Sequence, residues 1–153
     1  AMAAREVGRQ YLAVGHRRWT GAQLQTVNAS IGRDSRNRLR MAVVDTEFMQ
    51  GKLARTDFAL LANCADACLV QCTLHTGRTH QIRVHMAHIG HPLVADAVYG
   101  GVEVSGLSRQ ALHAFRLRLV HPVTTEKLKF EIPPPADLSN LLSSWGLSYN
   151  PNP

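Results

Sequence analysis

No stretch of this sequence approaches the roughly 18–20 consecutive apolar residues of a membrane-spanning helix, which argues against a membrane protein and for a soluble one. The opening Ala1-Met2-Ala3-Ala4 lacks the charged-then-apolar order of a secretory signal and reads as a cut helix end or a cloning remnant. Cysteine is scarce. Cys64, Cys68 and Cys72 are odd in number and form no C-x-x-C pair, so neither a disulfide framework nor a zinc site is expected, and a reducing, cytoplasmic setting is. Their spacing of four resembles one helix face, yet they straddle what reads as a hairpin, so small-residue core packing is the expectation. No repeat, low-complexity tract or linker interrupts residues 9–145, which leaves one compact unit able to bury about 70% of its unfolded surface.

What is abundant is positive charge carried by arginine. Seventeen basic residues stand against 11 acidic ones, giving +6 and a pI near 9.8, and all but three of the basic residues are arginines. Such a balance favours a polyanionic partner, and the planar guanidinium fork suits phosphate and base stacking better than a lipid surface, so nucleic acid is the expected partner class.

Period-two alternation marks strands at Gln10–Val14, Leu24–Ala29, Leu39–Val44, Lys52–Leu61, Cys68–Leu74, Ala111–Val120 and Lys127–Ile132. In the last of these Leu128, Phe130 and Ile132 alternate with Lys127, Lys129 and Glu131, the mark of one wet and one buried face. A helix is expected from His80 to Ile89, with Thr79 as N-cap, Ile82, His85, Met86 and Ile89 on one face, Gly90 after its end and Pro92 beyond. A second is expected from Asp137 to Trp145, after Pro133-Pro134-Pro135 and before Gly146. More strands than helices, without regular alternation, imply an α+β fold with a mixed, mainly antiparallel sheet and flanking helices. Residues 146–153 read as a flexible tail.

Function concentrates in Leu74-His75-Thr76-Gly77-Arg78-Thr79-His80-Gln81-Ile82-Arg83-Val84-His85-Met86, a strand end, a glycine turn and a helix start. The first helical turn presents backbone N–H groups, and Arg78, His80 and Arg83 converge on that end, which makes an anion site. By itself this supports an anion-binding loop and no particular reaction. His75, His80, His85, His88 and His91 are scattered around the helix without companion carboxylates or thiols, so no metal is expected, and His85, in line with Ile82 and Ile89, reads as a core histidine. His16-Arg17-Arg18-Trp19-Thr20-Gly21 reads as a turn joining two strands, and Asp96 and Tyr99 as residues that order the loop after the helix.

The run from Leu74 to Gly101 resembles the motif III signature of RluA-type RNA pseudouridine synthases, closest to the D/C subgroup that modifies large-subunit ribosomal RNA. Val7-x-Arg9-x-Tyr11-x-Ala13, Ile31-Gly32-Arg33, Met41-Ala42-Val43, Gly51-Lys52-x-Ala54-x-Thr56-x-Phe58, Arg109-Gln110-Ala111-Leu112-His113-Ala114 and His121-Pro122 agree, so the likeness runs from about residue 7 to 142 in the family's order. The resemblance implies a cofactor-free isomerase that detaches uracil from ribose, rotates it and rejoins it through carbon 5. It implies that Tyr11 packs against the flipped base, that Arg83 pairs with a nucleophilic aspartate, and that Leu117 lines the pocket. Such a pairing keeps a buried carboxylate ionised, and the target nucleotide must leave its helix at a cost of roughly a few kcal/mol. RNA contact is then expected from Arg33, Arg36, Arg38, Lys52, Arg78, His80 and Gln81.

The family's H-R-L-D-x-x-T-S-G segment, which carries the nucleophile, has no counterpart in these 153 residues, and its nearest lookalike at His16 has Trp19 where the aspartate would stand. The expectation is therefore a single partial catalytic domain, inactive alone and prone to self-association through an exposed edge or apolar patch. Two rivals stay open, a non-catalytic RNA-binding module of the same fold and a helix-terminus anion or nucleotide binder unrelated to RNA.

Overall fold

The computed structural model describes residues 5–37 and 39–149. β1 (Arg5–His16), β2 (Leu24–Asn28), β5 (Arg55–Asn63), β6 (Ala67–Leu74), β7 (Leu112–Val120) and β8 (Lys127–Glu131) form a six-stranded sheet in the order β2-β5-β6-β1-β7-β8, with every pairing antiparallel. β3 (Ile31–Arg33) and β4 (Met41–Val43) make a separate two-stranded ribbon. Helix α1 (Gln81–His88) and helix α2 (Ala136–Ser144) lie on opposite faces, which is the expected mainly antiparallel α+β architecture. No helix among the described residues is long and apolar enough to cross a membrane.

Alternation along β1 explains the two cores. Ala13 points with Val70, Cys72 and Phe58 towards Ile82 and Met86 of α1, while Leu12 and Val14 point with Leu69 and Phe115 towards Leu138, Leu141 and Leu142 of α2. Each large side chain so enclosed contributes on the order of 1.5–3 kcal/mol. Trp19, 3% exposed, closes the α1 side by stacking on His91 at 5.0 Å and donating its indole N–H to the Ala22 carbonyl at 2.8 Å. The segment around it follows β1 as expected, but β1 and β2 are not partners: β6 and β5 stand between them.

On the α2 face, one row is polar across all six strands: Thr26, Asp57, Thr73, Gln10, Arg116 and Glu131 stand opposite one another in register. Thr26 donates to Asp57 at 2.7 Å, Gln10 to Thr73 at 3.1 Å, and Arg116 to both Gln10 at 2.8 Å and Glu131 at 3.2 Å. A bulge in β7 brings Phe115 and Arg116 to this same side, so that Arg116 lies over the Phe115 ring at 4.8 Å.

Two expectations need correction, and one strand escapes the period-two pattern. Thr79 is not the N-cap of α1; His80 is, in the left-handed region at φ 56° and without a side-chain cap bond, because the loop is held from inside by Gln81 instead. The segment 146–149 is packed rather than loose, since Leu147 is 4% exposed and the Tyr149 ring meets Phe115 edge-on; residues 150–153 lie outside the described residues. Finally, β3 had no alternation to betray it. Its three residues are held by β4 and by a bridge from Ile31 to Lys52.

Candidate functional site

β6 ends at Leu74, and the next six residues turn back to start α1 over β5. Gln81 fixes this turn. Its carbonyl oxygen accepts the Thr76 hydroxyl at 2.7 Å and the Arg78 backbone N–H at 3.0 Å, while its amide donates to the Arg55 carbonyl and the Thr56 hydroxyl oxygen, both at 2.9 Å. Thr56 in turn meets His85 Nδ1 at 2.8 Å, and His85 Nε2 lies 2.8 Å from the Ala29 carbonyl. A carbonyl can only accept, so His85 carries its proton on Nε2 and Nδ1 accepts the Thr56 hydroxyl. Burial lowers the His85 pKa, against the Ala29 bond that raises it. Gln81, expected to touch RNA, is instead 2% exposed and engaged at both ends of its amide.

Outside this locked interior lies a groove of about 960 Å³ between the β3/β4 ribbon and the 77–79 turn. Arg33, Lys52 and Arg78 line it, so three of the residues singled out in the sequence are brought together from three separate segments. Arg78 is anchored by its Nε–H on the Leu53 carbonyl at 2.8 Å, which leaves its terminal amino groups for a ligand. The ribbon sits this close because Gly32 and Gly51 lack side chains: a Cβ on Gly32 would run into the Gln50 carbonyl, and one on Gly51 into Val44. The lining also has an apolar part, with Met41, the cross-strand neighbour of Arg33, Met49 and Phe48, the last 82% exposed. Arg36 is exposed on the neighbouring turn, outside the groove lining, with its backbone N–H on Asp34. Arg38 lies outside the described residues.

Arg83 does not line that groove. Its Nε and Nη2 donate side-on to both oxygens of Asp96 at 2.8 and 2.9 Å, and its guanidinium lies 5.0 Å from the Tyr99 ring centre. The hydrogen bonds to Asp96 raise the Arg83 pKa. Tyr99 accepts the Met41 N–H at 2.9 Å and reaches His80 Nδ1 at 2.7 Å, so His80 also works inside this cluster. Burial first, and Arg83 second, lower the His80 pKa. Asp96 and Tyr99 do order the loop after α1, as expected. The correction is that Arg83 already has a carboxylate, because the chain returns through Leu93-Val94-Ala95-Asp96 beside the helix.

Tyr11 stands on β1 between Cys72 and Ala114 and packs on the α1 side of the sheet. The β7 bulge puts Leu117 opposite Arg9 and therefore on the same face as Tyr11, one row away. Among the described residues no three His, Cys, Asp or Glu side chains gather as a metal would require. Cys68 and Cys72 are buried on β6, where burial raises both thiol pKa values, that of Cys68 to about 12.

The fold is that of pseudouridine synthases. The human RNA pseudouridylate synthase domain containing 1 superposes with a TM-score of 0.67 at 29% identity, covering 95% of this chain and 68% of that one. The human domain containing 4 does so at 0.71 and 18% identity, covering 91% and 62%, a likeness of fold alone. In sequence, the family described as RNA pseudouridylate synthase matches residues 1–88, more than half of the chain, and the chain belongs to that family. Similar curated proteins include an uncharacterized RNA pseudouridine synthase of Chloroflexus aurantiacus, 48% identical over 134 residues, covering 87% of this chain and 40% of the relative. The ribosomal large subunit pseudouridine synthase D of Xanthomonas campestris pv. campestris is 42% identical over 158 residues, covering 94% and 45%. The chain thus spans less than half the length of these relatives.

Proposed function

We propose that this chain supplies the tyrosine- and arginine-bearing part of an RNA pseudouridine synthase, acting without cofactor on uridine in structured RNA, with large-subunit ribosomal RNA as the target. The observation that carries the reading is the convergence of Arg33, Lys52 and Arg78 on one groove in a chain of this family. Phosphate contacts of this kind dominate RNA affinity. In this reading Tyr11 faces the extruded uracil, Leu117 lines the same sheet face, and Arg83 steadies the nucleophilic carboxylate. Asp96 holds the Nε–Nη2 edge of Arg83, and the end-on Nη1 edge remains for that second carboxylate. The setting is cytoplasmic.

Because H-R-L-D is absent from the 153 residues, the polypeptide of this length binds RNA and does not isomerise it. Incubation with unmodified ribosomal RNA, scored for pseudouridine and for binding across a salt series, tests both halves. Binding that weakens steeply with salt and no product is the expected result, and robust turnover would refute the inactivity. A second reading, a non-catalytic RNA-binding module, draws on the side-on hold that Asp96 has on Arg83; turnover by a longer protein carrying H-R-L-D upstream of the same residues would rule it out. Self-association belongs to the proposal as well, supported by Leu24 on the β2 edge and by Phe130 and Ile132 at the β8 edge, 75%, 50% and 51% exposed. A strictly monomeric species in light scattering removes that part.

A further inference from the structure

The groove has two chemically different sets of lining residues, and only one of them is explained by phosphate. Lys52 and Arg78 belong to the cationic set. The turn after β4 adds Phe48, 82% exposed, and Met49, 39% exposed, to the same lining, together with Met41. A surface built to read phosphates alone has no use for an exposed phenyl ring. The turn also carries Asp45 and Glu47, exposed and acidic, outside the groove lining. Phe48 itself is far more exposed than any core aromatic of the chain: Phe58 is 1% and Phe115 3% exposed.

We propose that the groove is a subsite for one unpaired nucleotide of RNA, its base stacked on Phe48 and its phosphate held by Arg78 and Lys52. This rests on the reading that the chain binds RNA, and it adds a second nucleotide position, separate from the Tyr11 face, since Tyr11 does not line the groove. A base offers its flat face only when it is unstacked, so the subsite selects loops, bulges or single strands over duplex. Stacking on an aromatic ring tolerates any base, so the subsite reads strandedness and not sequence. The volume of about 960 Å³ is ample for a nucleotide, at the upper end of the roughly 300–1,000 Å³ usual for small-ligand sites.

The test compares wild type with Phe48→Ala, Phe48→Tyr and Lys52→Gln on a short single-stranded RNA and on the blunt duplex it forms with its complement. Phe48→Ala is expected to weaken single-strand binding about tenfold, leaving the duplex affinity and the salt slope unchanged, with Phe48→Tyr restoring it. Lys52→Gln is expected to lower the single-strand salt slope by about 0.7. Unchanged single-strand affinity in Phe48→Ala overturns the proposal, as does an equal loss for both RNAs. Conversion of an oligomer to a monomer with RNA affinity intact also overturns it, since Phe48 then serves a second copy of the chain. Wild type that binds neither RNA defeats the RNA reading itself, whereas wild type that binds while Phe48→Ala matches it defeats only the stacking.

Discussion

The underside of α1 and the rim of the groove meet in one segment, Leu74 to Met86, which gives Gln81 and His85 to the first and Arg78 to the second, yet they follow opposite rules. Underneath, Gln81, Thr56 and His85 form a polar chain in which each hydrogen bond has its partner, and no described buried side-chain atom is left without one. At the rim, a half-buried Arg78 and an exposed Lys52 share the groove with an exposed phenylalanine. The contrast separates what holds the segment from what it offers. An interior polar group is dangerous to remove because its partners stay buried, whereas a rim cation can be lost with little effect on folding.

Four substitutions or conditions test that division. The largest effect is expected from Asp96→Ala, which strands the mostly buried Arg83 guanidinium; unfolding by urea should show a loss of about 3 kcal/mol, the lower end of the range because Arg83 keeps some contact with water. Gln81→Leu comes next, at about 2 kcal/mol, since the Arg78 N–H and Arg55 carbonyl lose their partner. A loss below 0.5 kcal/mol in either variant would break the contrast. Acid comes third. Burial lowers the His85 pKa, so the unfolded chain binds the proton more readily than the folded one; stability is full above about pH 6.5 and falls below it, levelling only once the folded histidine protonates. His16 and His80, also lowered mainly by burial, act in the same direction. The urea midpoint at pH 5.5 should lie below that at pH 7.5, and His85→Gln should flatten the difference; a midpoint indifferent to pH counts against the buried neutral histidine. The smallest effect belongs to Lys52→Gln, expected to shift stability by less than about 0.5 kcal/mol while still altering RNA binding.

Much of this was legible in the chain itself. The period-two runs located seven of the eight strands, all but β3, and the 3.6-residue spacing of Ile82, Met86 and Ile89 located α1, because local burial on one face leaves a local pattern. The convergence of Arg33, Lys52 and Arg78 was readable only through the family likeness, since nothing in their spacing brings three distant segments together. What stayed hidden depended on partners far along the chain. Gln81 looks like an exposed first-turn residue until β5 supplies Arg55 and Thr56, and Thr79 looks like a cap until that same glutamine takes over the turn. Asp96 and Arg83 are separated by a turn whose course no periodicity describes. The β7 bulge that turns Leu117 towards the Tyr11 face is equally silent in sequence, because an inserted residue changes register without changing composition.

The place of β1 at the middle of the sheet bears on how the molecule is assembled. It is the earliest strand in the sequence, but its neighbours come late: Gln10 bonds to Thr73, 63 positions on, and to Arg116, 106 positions on. A ribosome therefore releases Leu12, Ala13 and Val14 long before either flanking strand exists to shelter them. High contact order of this kind slows folding and prolongs exposure of sticky backbone. Leu12, Ala13 and Val14, at most 1% exposed in the folded sheet, thus wait until β7 has been made for their full cover, and a chaperone acting during synthesis finds a client in that strand.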